Sequence, residues 1–286
     1  MKFTVALAQI APALGDLARN VKLYKAAVEQ ARRGGANLIV FPELSLTGYF
    51  LKDMVPDVAQ RLDSAVMKDL CKLSREISIV VGFVEESDDF RFFNAAAYLE
   101  DGKIVHVHRK VYLPTYGMFD EQRYFATGDR VRGFDSKYGR MGLLVCEDAW
   151  HLTCGCLLCL DKVEYVIAIS SSPGRGMSTA GKLGTADTWE RLNWSYAKFF
   201  GVYLIYANRG GFEDGVNFWG GSEVVSPGGE VVARGAYLKE DLVLAAVDSE
   251  VIRRERIGSP MLRDERIDVT LDEMKRIKAA RVNEAM

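Results

Sequence analysis

The chain has 286 residues, of which 49% are hydrophobic, and its 37 Lys and Arg against 39 Asp and Glu give a net charge of −2. These values are ordinary for a globular protein, and the charges are spread along the chain, so nothing indicates a nucleic-acid or membrane partner. The longest apolar stretches, such as Leu242–Val247, are too short to cross a bilayer, and we expect a cytoplasmic protein whose five cysteines are free thiols.

Predicted strands and helices alternate along the chain. Phe3–Ile10 is predicted as a first strand and not as a signal peptide, because its apolar run is short and Gln9 interrupts it. Leu17–Arg33 is predicted as an amphipathic helix, Asn37–Phe41 as a buried strand and Asp57–Arg75 as a second helix. The later predicted elements are the strands Ile77–Glu85, Phe93–Glu100, Lys103–Val107, Met141–Cys146, Tyr165–Ser170, Tyr203–Ala207, Ser222–Ser226, Glu230–Ala233 and Leu242–Val247, and helices near Leu152–Leu160 and Thr185–Phe199.

This alternation predicts an α/β protein. About a dozen strands with only four or five helices suit two stacked sheets covered by helices. The Asp101-Gly102 pair predicts a hairpin, so the sheets should be mixed. We expect a single domain over residues 1–286, with a core of about 1–248 and a charged tail of about 249–286 that could form a helix over Thr270–Ala285.

The first candidate site residue is Glu43, in the stretch Phe41–Tyr49 that follows a predicted buried strand. An acidic residue at that edge of an α/β sheet is placed where sites usually lie, and partial burial would raise its pKa toward the range of a general base. Taken alone, a glutamate that merely caps a loop is the more common alternative.

The second candidate is Lys110, in the stretch His108–Glu121, which closely follows the second strand of the predicted hairpin. A fixed ammonium group there could stabilise an oxyanion or lower the pKa of a nearby thiol. In isolation, a surface lysine is the more common interpretation.

The third candidate is Cys146, which ends an apolar strand in the stretch Gly142–His151 and precedes a predicted helix. Such a strand-to-helix turn can expose a nucleophile, although a buried core cysteine is the commonest fate of a free thiol. The chain has only three histidines, His106, His108 and His151, but a glutamate base at Glu43 would make a histidine unnecessary.

These three stretches, in this order, resemble the nitrilase superfamily of carbon–nitrogen hydrolases, and the resemblance extends from Phe3 to about Val247. It implies that Glu43 is the general base, Lys110 the oxyanion stabiliser and Cys146 the nucleophile. It also implies that Glu121 positions the lysine and the substrate. The fold implied is a four-layer αββα sandwich that forms a homodimer or higher homo-oligomer, with the tail at the dimer interface and with neither metal nor cofactor.

The residues after Cys146 favour an amide over a nitrile, since members of this superfamily that hydrolyse nitriles usually carry Trp there and this chain has Glu147-Asp148. Leu113–Phe125, Cys146–Trp150 and Ser171-Ser172-Pro173 resemble more narrowly the glutaminase domain of glutamine-dependent NAD synthetases. That match implies that Tyr116 and Ser172 contact the substrate. We also expect substrate contacts from Glu147, Tyr49 and Phe119. If the substrate carries a carboxylate, Arg175, the first basic residue after Ser172-Pro173, is the expected clamp, with Lys182 as its nearest rival.

The expected function is therefore that of an amidase acting on a small polar amide. No Ser-Gly-Gly-x-Asp-Ser loop of an ATP-binding synthetase occurs in the sequence, so we expect a free-standing enzyme. One alternative is a glutaminase subunit that supplies ammonia to a separate NAD synthetase, and another is a catalytically silent binding or scaffold protein on the same fold.

Two further clusters are predicted to be structural. Cys154, Cys156 and Cys159 do not match a common tetrahedral metal pattern, and we expect them to pack on a helix. Trp189, Trp194 and Tyr196 share a predicted helix at helical spacing, which is more typical of core or interface residues than of substrate contacts.

Overall fold

The structure, a computed structural model, describes residues 1–176 and 183–284. Its strands are β1 (Lys2–Gln9), β2 (Leu38–Val40), β3 (Ser78–Glu86), β4 (Phe92–Glu100), β5 (Lys103–Arg109), β6 (Gly133–Ser136), β7 (Gly139–Val145), β8 (Tyr165–Ser170), β9 (Tyr203–Asn208), β10 (Gly210–Glu213), β11 (Val216–Trp219), β12 (Glu223–Val225), β13 (Val231–Arg234) and β14 (Asp241–Asp248). Its helices are α1 (Leu17–Arg33), α2 (Val55–Val58), α3 (Ala65–Leu73), α4 (Glu147–Trp150), α5 (Leu152–Leu160), α6 (Gly184–Phe200), α7 (Ser249–Gly258) and α8 (Ile267–Glu284).

The strands form two six-stranded mixed sheets and one short hairpin. The first sheet has the order β14-β1-β2-β3-β4-β5 and the second the order β13-β12-β9-β8-β7-β6, while β10 pairs with β11. In the first sheet β1, β2 and β3 are parallel, and in the second β7, β8 and β9 are parallel. The remaining neighbours are antiparallel, so the prediction of two mixed sheets is confirmed.

Alternating side chains divide each sheet between two cores. On β1, Val5 and Leu7 enter the core between the sheets, whereas Ala6 and Ala8 pack beneath α1. The second sheet is divided in the same way, because Ile167 joins the core between the sheets while its neighbours on β8 pack under α5 and α6. This period of two gives four layers, helix–sheet–sheet–helix, as the sequence predicts.

Helix α1 has the predicted bounds. Asp16 caps its first turn by accepting a hydrogen bond of 2.9 Å from the backbone N–H of Arg19, and Gly34 follows its last residue. Tyr24, Val28 and Ala31 lie on its buried face. The helix thus covers the outer side of the first sheet.

The predicted helix Asp57–Arg75 is wrong, because two shorter helices, α2 and α3, occupy the region from residue 55 to residue 73. Between them Gln60 adds to the first sheet: its N–H donates to Val84 O at 2.8 Å, and its carbonyl accepts from Glu86 N at 3.1 Å. Ser64 then starts α3 as a side-chain cap for the N–H of Met67. The hydrogen bonds between Gln60 and the first sheet therefore interrupt the single helix that the apolar spacing predicts.

The segment after β14 differs from a simple tail. Helix α7 packs on the body of the protein, since Ile252 is buried and Arg256 donates to the carbonyls of Val163 and Gly201. Helix α8 coincides closely with the predicted tail helix, and its side chains are mostly exposed. Within residues 1–176 and 183–284, no helix has the length and apolar character needed to cross a membrane.

Candidate active site

The carboxyl ends of strands from both sheets meet at one edge and carry the three predicted catalytic side chains. Lys110 directly follows β5, Cys146 directly follows β7, and Glu43 lies just beyond β2. The side chains of Glu43 and Lys110 are fully buried. The structure thus places the two charged candidates in the interior, where ion pairs and hydrogen bonds must compensate their lost hydration.

Lys110 is the centre of the ion network. Its Nζ lies 2.8 Å from Glu43 Oε1 and 2.7 Å from Glu121 Oε1. Burial disfavours the ammonium group, but the charges of Glu121 and Glu43 outweigh it and hold the pKa of Lys110 well above its ordinary value. The lysine is therefore a permanent cation throughout the pH range in which enzymes work.

Glu43 is held by neutral donors as well as by the lysine. Asn94 Nδ2 donates to Oε1 at 2.8 Å, and the backbone N–H of Ser171 donates to Oε2 at 2.8 Å. Gly82 on β3 leaves room for this turn, since a Cβ there would lie 2.1 Å from the carbonyl oxygen of Pro42. The carboxylate thus has a fixed position, with both oxygens hydrogen-bonded.

Cys146 sits in a strained strand-to-helix turn. Its φ is +44°, in a region that residues other than glycine rarely adopt. Its N–H donates to Ile169 O at 2.8 Å, and its Sγ accepts a hydrogen bond of 3.3 Å from Ser170 Oγ. Burial and the charge of Glu43 raise the pKa of the thiol well above its ordinary value, while Lys110 and Ser170 lower it. The resting sulfur is therefore a thiol that needs a base.

Glu121 joins the network opposite Glu43. Tyr49 Oη donates to Glu121 Oε1 at 2.5 Å, and Oε2 is buried without a hydrogen-bond partner among the described residues. Burial and, to a lesser extent, the charge of Glu43 raise the pKa of Glu121 to about 7, against the lowering effect of the Lys110 charge. Glu121 therefore lies in direct contact with the lysine, and its titration falls near neutral pH.

Tyr49 is held in turn by a buried ion pair. Glu213 accepts hydrogen bonds of 2.8 Å from the N–H groups of both Tyr49 and Phe50, and its second oxygen binds Arg209 at 2.5 Å. Arg209 lies over the ring of Phe218, 4.4 Å from the centroid. The β10–β11 hairpin, which carries Glu213 and Phe218, thus fixes the loop that holds the Glu121 carboxylate.

The predicted substrate contacts lie around this network. Tyr116 is half exposed and its Oη donates to Glu147 Oε2 at 2.9 Å. The guanidinium group of Arg175 lies 5.0 Å from the centroid of the Phe119 ring. That ring contacts Tyr49 edge-on, and a cavity of about 140 Å³ opens beside them and Glu121. Tyr49, Phe119 and Glu121 therefore line this cavity, whereas Tyr116, Glu147, Arg175 and Cys146 are not among its lining residues.

Ser172 is buried next to these residues. Its Oγ accepts a hydrogen bond of 3.0 Å from Trp189 Nε1, and its N–H donates to Asn208 Oδ1 at 2.9 Å. Trp189 thus belongs to the core, as predicted, and also orients the candidate substrate contact at Ser172. Lys182, the predicted rival of Arg175, lies outside the described residues.

Asp148 is a site residue whose role the sequence analysis missed. It is fully buried, and its Oδ1 accepts from the N–H groups of Val111 and Tyr112 at 2.9 and 3.0 Å. Its Oδ2 accepts from Val145 N at 3.1 Å and lies 2.8 Å from His108 Nε2. One carboxylate therefore ties the segment around the lysine to the strand that ends at the cysteine. The available signal was an acidic residue two positions after a candidate nucleophile.

The cysteine cluster on α5 is a packing feature. Cys154 and Cys159 are buried among apolar residues under α6, and burial raises the pKa of both thiols to about 12. Among the described residues no group of three or more His, Cys, Asp or Glu side chains is arranged to hold a metal ion.

Comparisons with known proteins find relatives that match over most of this chain. The sequence pattern of the family described as Carbon-nitrogen hydrolase matches residues 4–256. The glutamine-dependent NAD(+) synthetase of Acinetobacter baylyi is 31% identical over 257 residues, which cover 89% of this chain and 46% of that protein. The chain thus spans about half the length of that relative. The N-carbamoylputrescine amidase of Oryza sativa subsp. japonica is 28% identical, with 87% of each chain covered.

Among solved structures, a carbon-nitrogen hydrolase from Helicobacter pylori G27 superposes with a TM-score of 0.86 at 28% identity, covering 96% of this chain and 99% of that one. An amidase from Nesterenkonia sp. AN1 superposes with a TM-score of 0.80 at 22% identity, covering 94% and 96%, and shares the fold. From its strand-end chemistry, its two-sheet fold and these matches, the chain belongs to the carbon-nitrogen hydrolase family.

Proposed function

We propose that this protein is an amidase that cleaves a small polar amide, other than a peptide bond, through a thioester on Cys146 and releases ammonia. The observation that carries the proposal is the buried network of Glu43, Lys110 and Glu121 beside the cysteine. Two consecutive residues connect the cysteine to this network: Ser170 contacts the sulfur, and the N–H of Ser171 donates to the Glu43 carboxylate. A base, a cation and a nucleophile therefore share one water-poor space.

In the first half of the proposed reaction, Glu43 takes the thiol proton as the sulfur of Cys146 bonds to the amide carbon. The carbonyl oxygen becomes an oxyanion, which the Lys110 ammonium and the amide N–H of Glu147 stabilise. Collapse of the tetrahedral intermediate breaks the carbon–nitrogen bond. The leaving amine takes the proton that Glu43 received, so the carboxylate is restored.

In the second half, Glu43 takes a proton from water, and the resulting hydroxide bonds to the thioester carbon. The carbon–sulfur bond then breaks, and the proton returns to the sulfur as the acid departs. One carboxylate thus acts as base, acid and base again, which requires that its hydrogen-bond partners tolerate both protonation states. Asn94 and the Ser171 amide are neutral donors that add no further charge to the site.

The groups around the network support a small and polar substrate. Tyr116 and Glu147 form a hydrogen-bonded pair, and Arg175 lies over Phe119, whose ring also contacts Tyr116. A substrate carboxylate would gain charge-assisted hydrogen bonds from Arg175, while Glu147 favours an amino or hydroxyl group. Tyr49 and Ser172 complete the proposed contacts.

The test is ammonia release from purified protein, screened over glutamine, asparagine, short aliphatic amides, ω-amides and N-carbamoyl compounds. We expect at least one to be hydrolysed at about 1 per second or faster, the low end of ordinary enzymes. Cys146→Ala should abolish that turnover and keep the fold, whereas Cys71→Ala, remote from the site, should retain most of it. Turnover that survives in Cys146→Ala, or inactivation by iodoacetamide at another cysteine, would contradict the proposal.

A second candidate function is a glutaminase that supplies ammonia to an NAD synthetase. It is favoured by the 31% identity to the glutamine-dependent enzyme of Acinetobacter baylyi and by the position of Arg175, whose charge suits the carboxylate of glutamine. The same assay separates the two functions. Glutamine turnover that appears only after a separate NAD synthetase is added would favour the glutaminase.

A further inference from the structure

Ser170, the last residue of β8, touches the atom that the proposed reaction uses as its nucleophile. Its Oγ donates to Cys146 Sγ at 3.3 Å, and the residue is fully buried. Behind it lies the buried ring of Tyr206, which stacks between Trp189 and Trp219 with centroid separations of 4.6 and 6.0 Å. Tyr206 also interacts with the Ser170 hydroxyl. Because a hydroxyl has one proton to donate, the sulfur and the tyrosine oxygen are its two possible acceptors, and the geometry gives the proton to the sulfur.

A neutral donor at this position solves an electrostatic problem. Forming a thiolate beside Glu43 in a buried site is unfavourable, because burial and the carboxylate both act against the negative sulfur. Lys110 opposes them, but its Nζ is already bound to Glu43 and Glu121. A hydrogen bond to a charged acceptor is roughly twice as strong as one to a neutral acceptor, so the serine favours the thiolate over the thiol.

We propose that Ser170 is a further catalytic residue, whose hydroxyl donates a hydrogen bond to the Cys146 thiolate as the proton leaves and keeps the sulfur directed at the substrate carbon. In this step the S–H bond breaks, its proton passes to Glu43, and its electron pair stays on sulfur. Ser170 keeps its own proton throughout. The role rests on the proposed function, in which Cys146 is the nucleophile.

Other groups also influence the charge on this sulfur, and they come from several elements around it. The charged and titratable side chains that interact with the thiol are Glu43, Lys110, Glu121, Tyr49, Tyr116 and Tyr206. A substitution at Ser170 leaves all of them in place. A change in thiol ionisation in such a variant therefore reports the loss of one hydroxyl.

The experiment follows the rate of Cys146 alkylation by iodoacetamide in the free protein from about pH 6 to about pH 11. Because the pKa of this thiol lies well above its ordinary value, the rate at each pH follows the small thiolate fraction, and the variants are compared at equal pH. Fragmentation of the peptide that contains Cys146 in the mass spectrometer locates the label, because Cys154, Cys156 and Cys159 lie on the same tryptic peptide. We expect Ser170→Ala to raise the apparent pKa of alkylation by about one unit. At pH values below the apparent pKa of both proteins, the variant should therefore be alkylated about tenfold more slowly than the wild type. The control Ser78→Ala removes another buried strand hydroxyl, bonded to Glu100, and should leave the curve unchanged.

A second pair of variants removes any dependence on how well alanine fills the site. Threonine and valine have nearly the same shape, so Ser170→Thr and Ser170→Val place the same extra volume there and differ only in the hydroxyl. We expect the threonine variant to keep the lower apparent pKa and the valine variant to show the raised one. Superimposed curves for this pair, or an unchanged curve for Ser170→Ala, would overturn the proposal.

This readout is independent of the amide screen, because alkylation needs no substrate. Failure of the proposed function would appear as turnover that persists in Cys146→Ala, whereas failure of the Ser170 role appears only in the alkylation curves. Once a substrate is found, Ser170→Ala should lower kcat about tenfold with little change in KM, since the hydrogen bond strengthens when the sulfur gives up its proton.

Discussion

At the scale of single residues, Glu121 combines a buried charge with an incomplete set of partners. Lys110 and Tyr49 both donate to Oε1, while Oε2 has no hydrogen-bond partner among the described residues. Its pKa is raised to about 7, first by burial. Between the ordinary carboxyl pKa and about 7 the folded protein therefore binds a proton that the unfolded chain has released. By linkage, this residue makes the free energy of unfolding fall as pH rises through that window.

Glu121→Gln should remove this pH-dependent penalty. We expect the variant to be more stable than the wild type above about pH 7, by at most about 3 kcal/mol, and to lose the advantage near pH 4.5. Activity should fall, because Lys110 loses one of its two carboxylate partners. Urea unfolding at several pH values measures the difference, and Glu86→Gln, a half-buried glutamate on β3, is the control. A stability gain that does not change between pH 5 and pH 8 would contradict this assignment.

The residues of the site were predictable to different degrees. Glu43, Lys110 and Cys146 could be predicted as candidate site residues because each follows a strand and because their order resembles a known family. Asn94 and Asp148 were not, since their roles depend on contacts across 51 and 40 positions in the chain, to Glu43 and His108 respectively. Single-sequence patterns report local spacing, and they carry no signal for partners brought together by the sheets.

At the scale of elements, Asp148 couples the end of β5 to the end of β7. Its four hydrogen-bond partners lie on both sides of the site, before Cys146 and around Lys110. Asp148→Asn replaces one acceptor oxygen by a donor that would face a backbone N–H or the ring of His108. We expect the free energy of unfolding to fall by about 2–4 kcal/mol, the cost of unsatisfied buried groups.

The same variant should lower kcat more than it raises KM, because it shifts Lys110 relative to Cys146 and leaves the proposed substrate contacts in place. Asp161→Asn provides the comparison: this carboxylate also links strands, through Gly133 N and Arg140, but at the other end of β7. Chemical denaturation and steady-state kinetics measure both effects. Equal kinetic losses in the two variants would show that Asp148 has no special role in positioning.

Elements with a regular pattern and local end signals were predicted well, and elements defined by pairing were not. Helix α1 has the predicted bounds, since its periodicity and its Asp16 cap are local signals. Helix α5 also has the predicted bounds, although no side chain caps its first turn. The hairpin β10–β11 was missed, because Gly210-Gly211 is typical of a turn and yet begins a strand here. Gly211 adopts a φ of +82°, a conformation that favours glycine, so a residue that signals a turn instead shapes a strand.

At the scale of the whole molecule, helix α8 presents apolar side chains that the single chain does not cover. Ile267, Leu271, Met274 and Ile277 form a stripe at helical spacing, and each is between 42% and 52% exposed. Apolar stripes of this kind are typical of surfaces that contact another protein. We propose that the stripe packs in a homodimer, in line with the sequence expectation for the charged tail.

Substituting the stripe should therefore weaken self-association. We expect the wild-type protein to sediment as a dimer or larger homo-oligomer, and the double variant Met274→Glu and Ile277→Glu to dissociate at concentrations where the wild type does not. The reason is that two apolar contacts per chain, each worth about 1 kcal/mol because only the exposed half of each side chain remains to be buried, would be replaced by charges that resist burial. Arg276→Glu, on the polar side of the same helix, adds negative charge without touching the stripe and should leave the mass unchanged. Analytical ultracentrifugation over a dilution series measures the masses. A monomeric wild type would show that no such dimer forms, and equal oligomeric masses for all three proteins would place the dimer contact elsewhere.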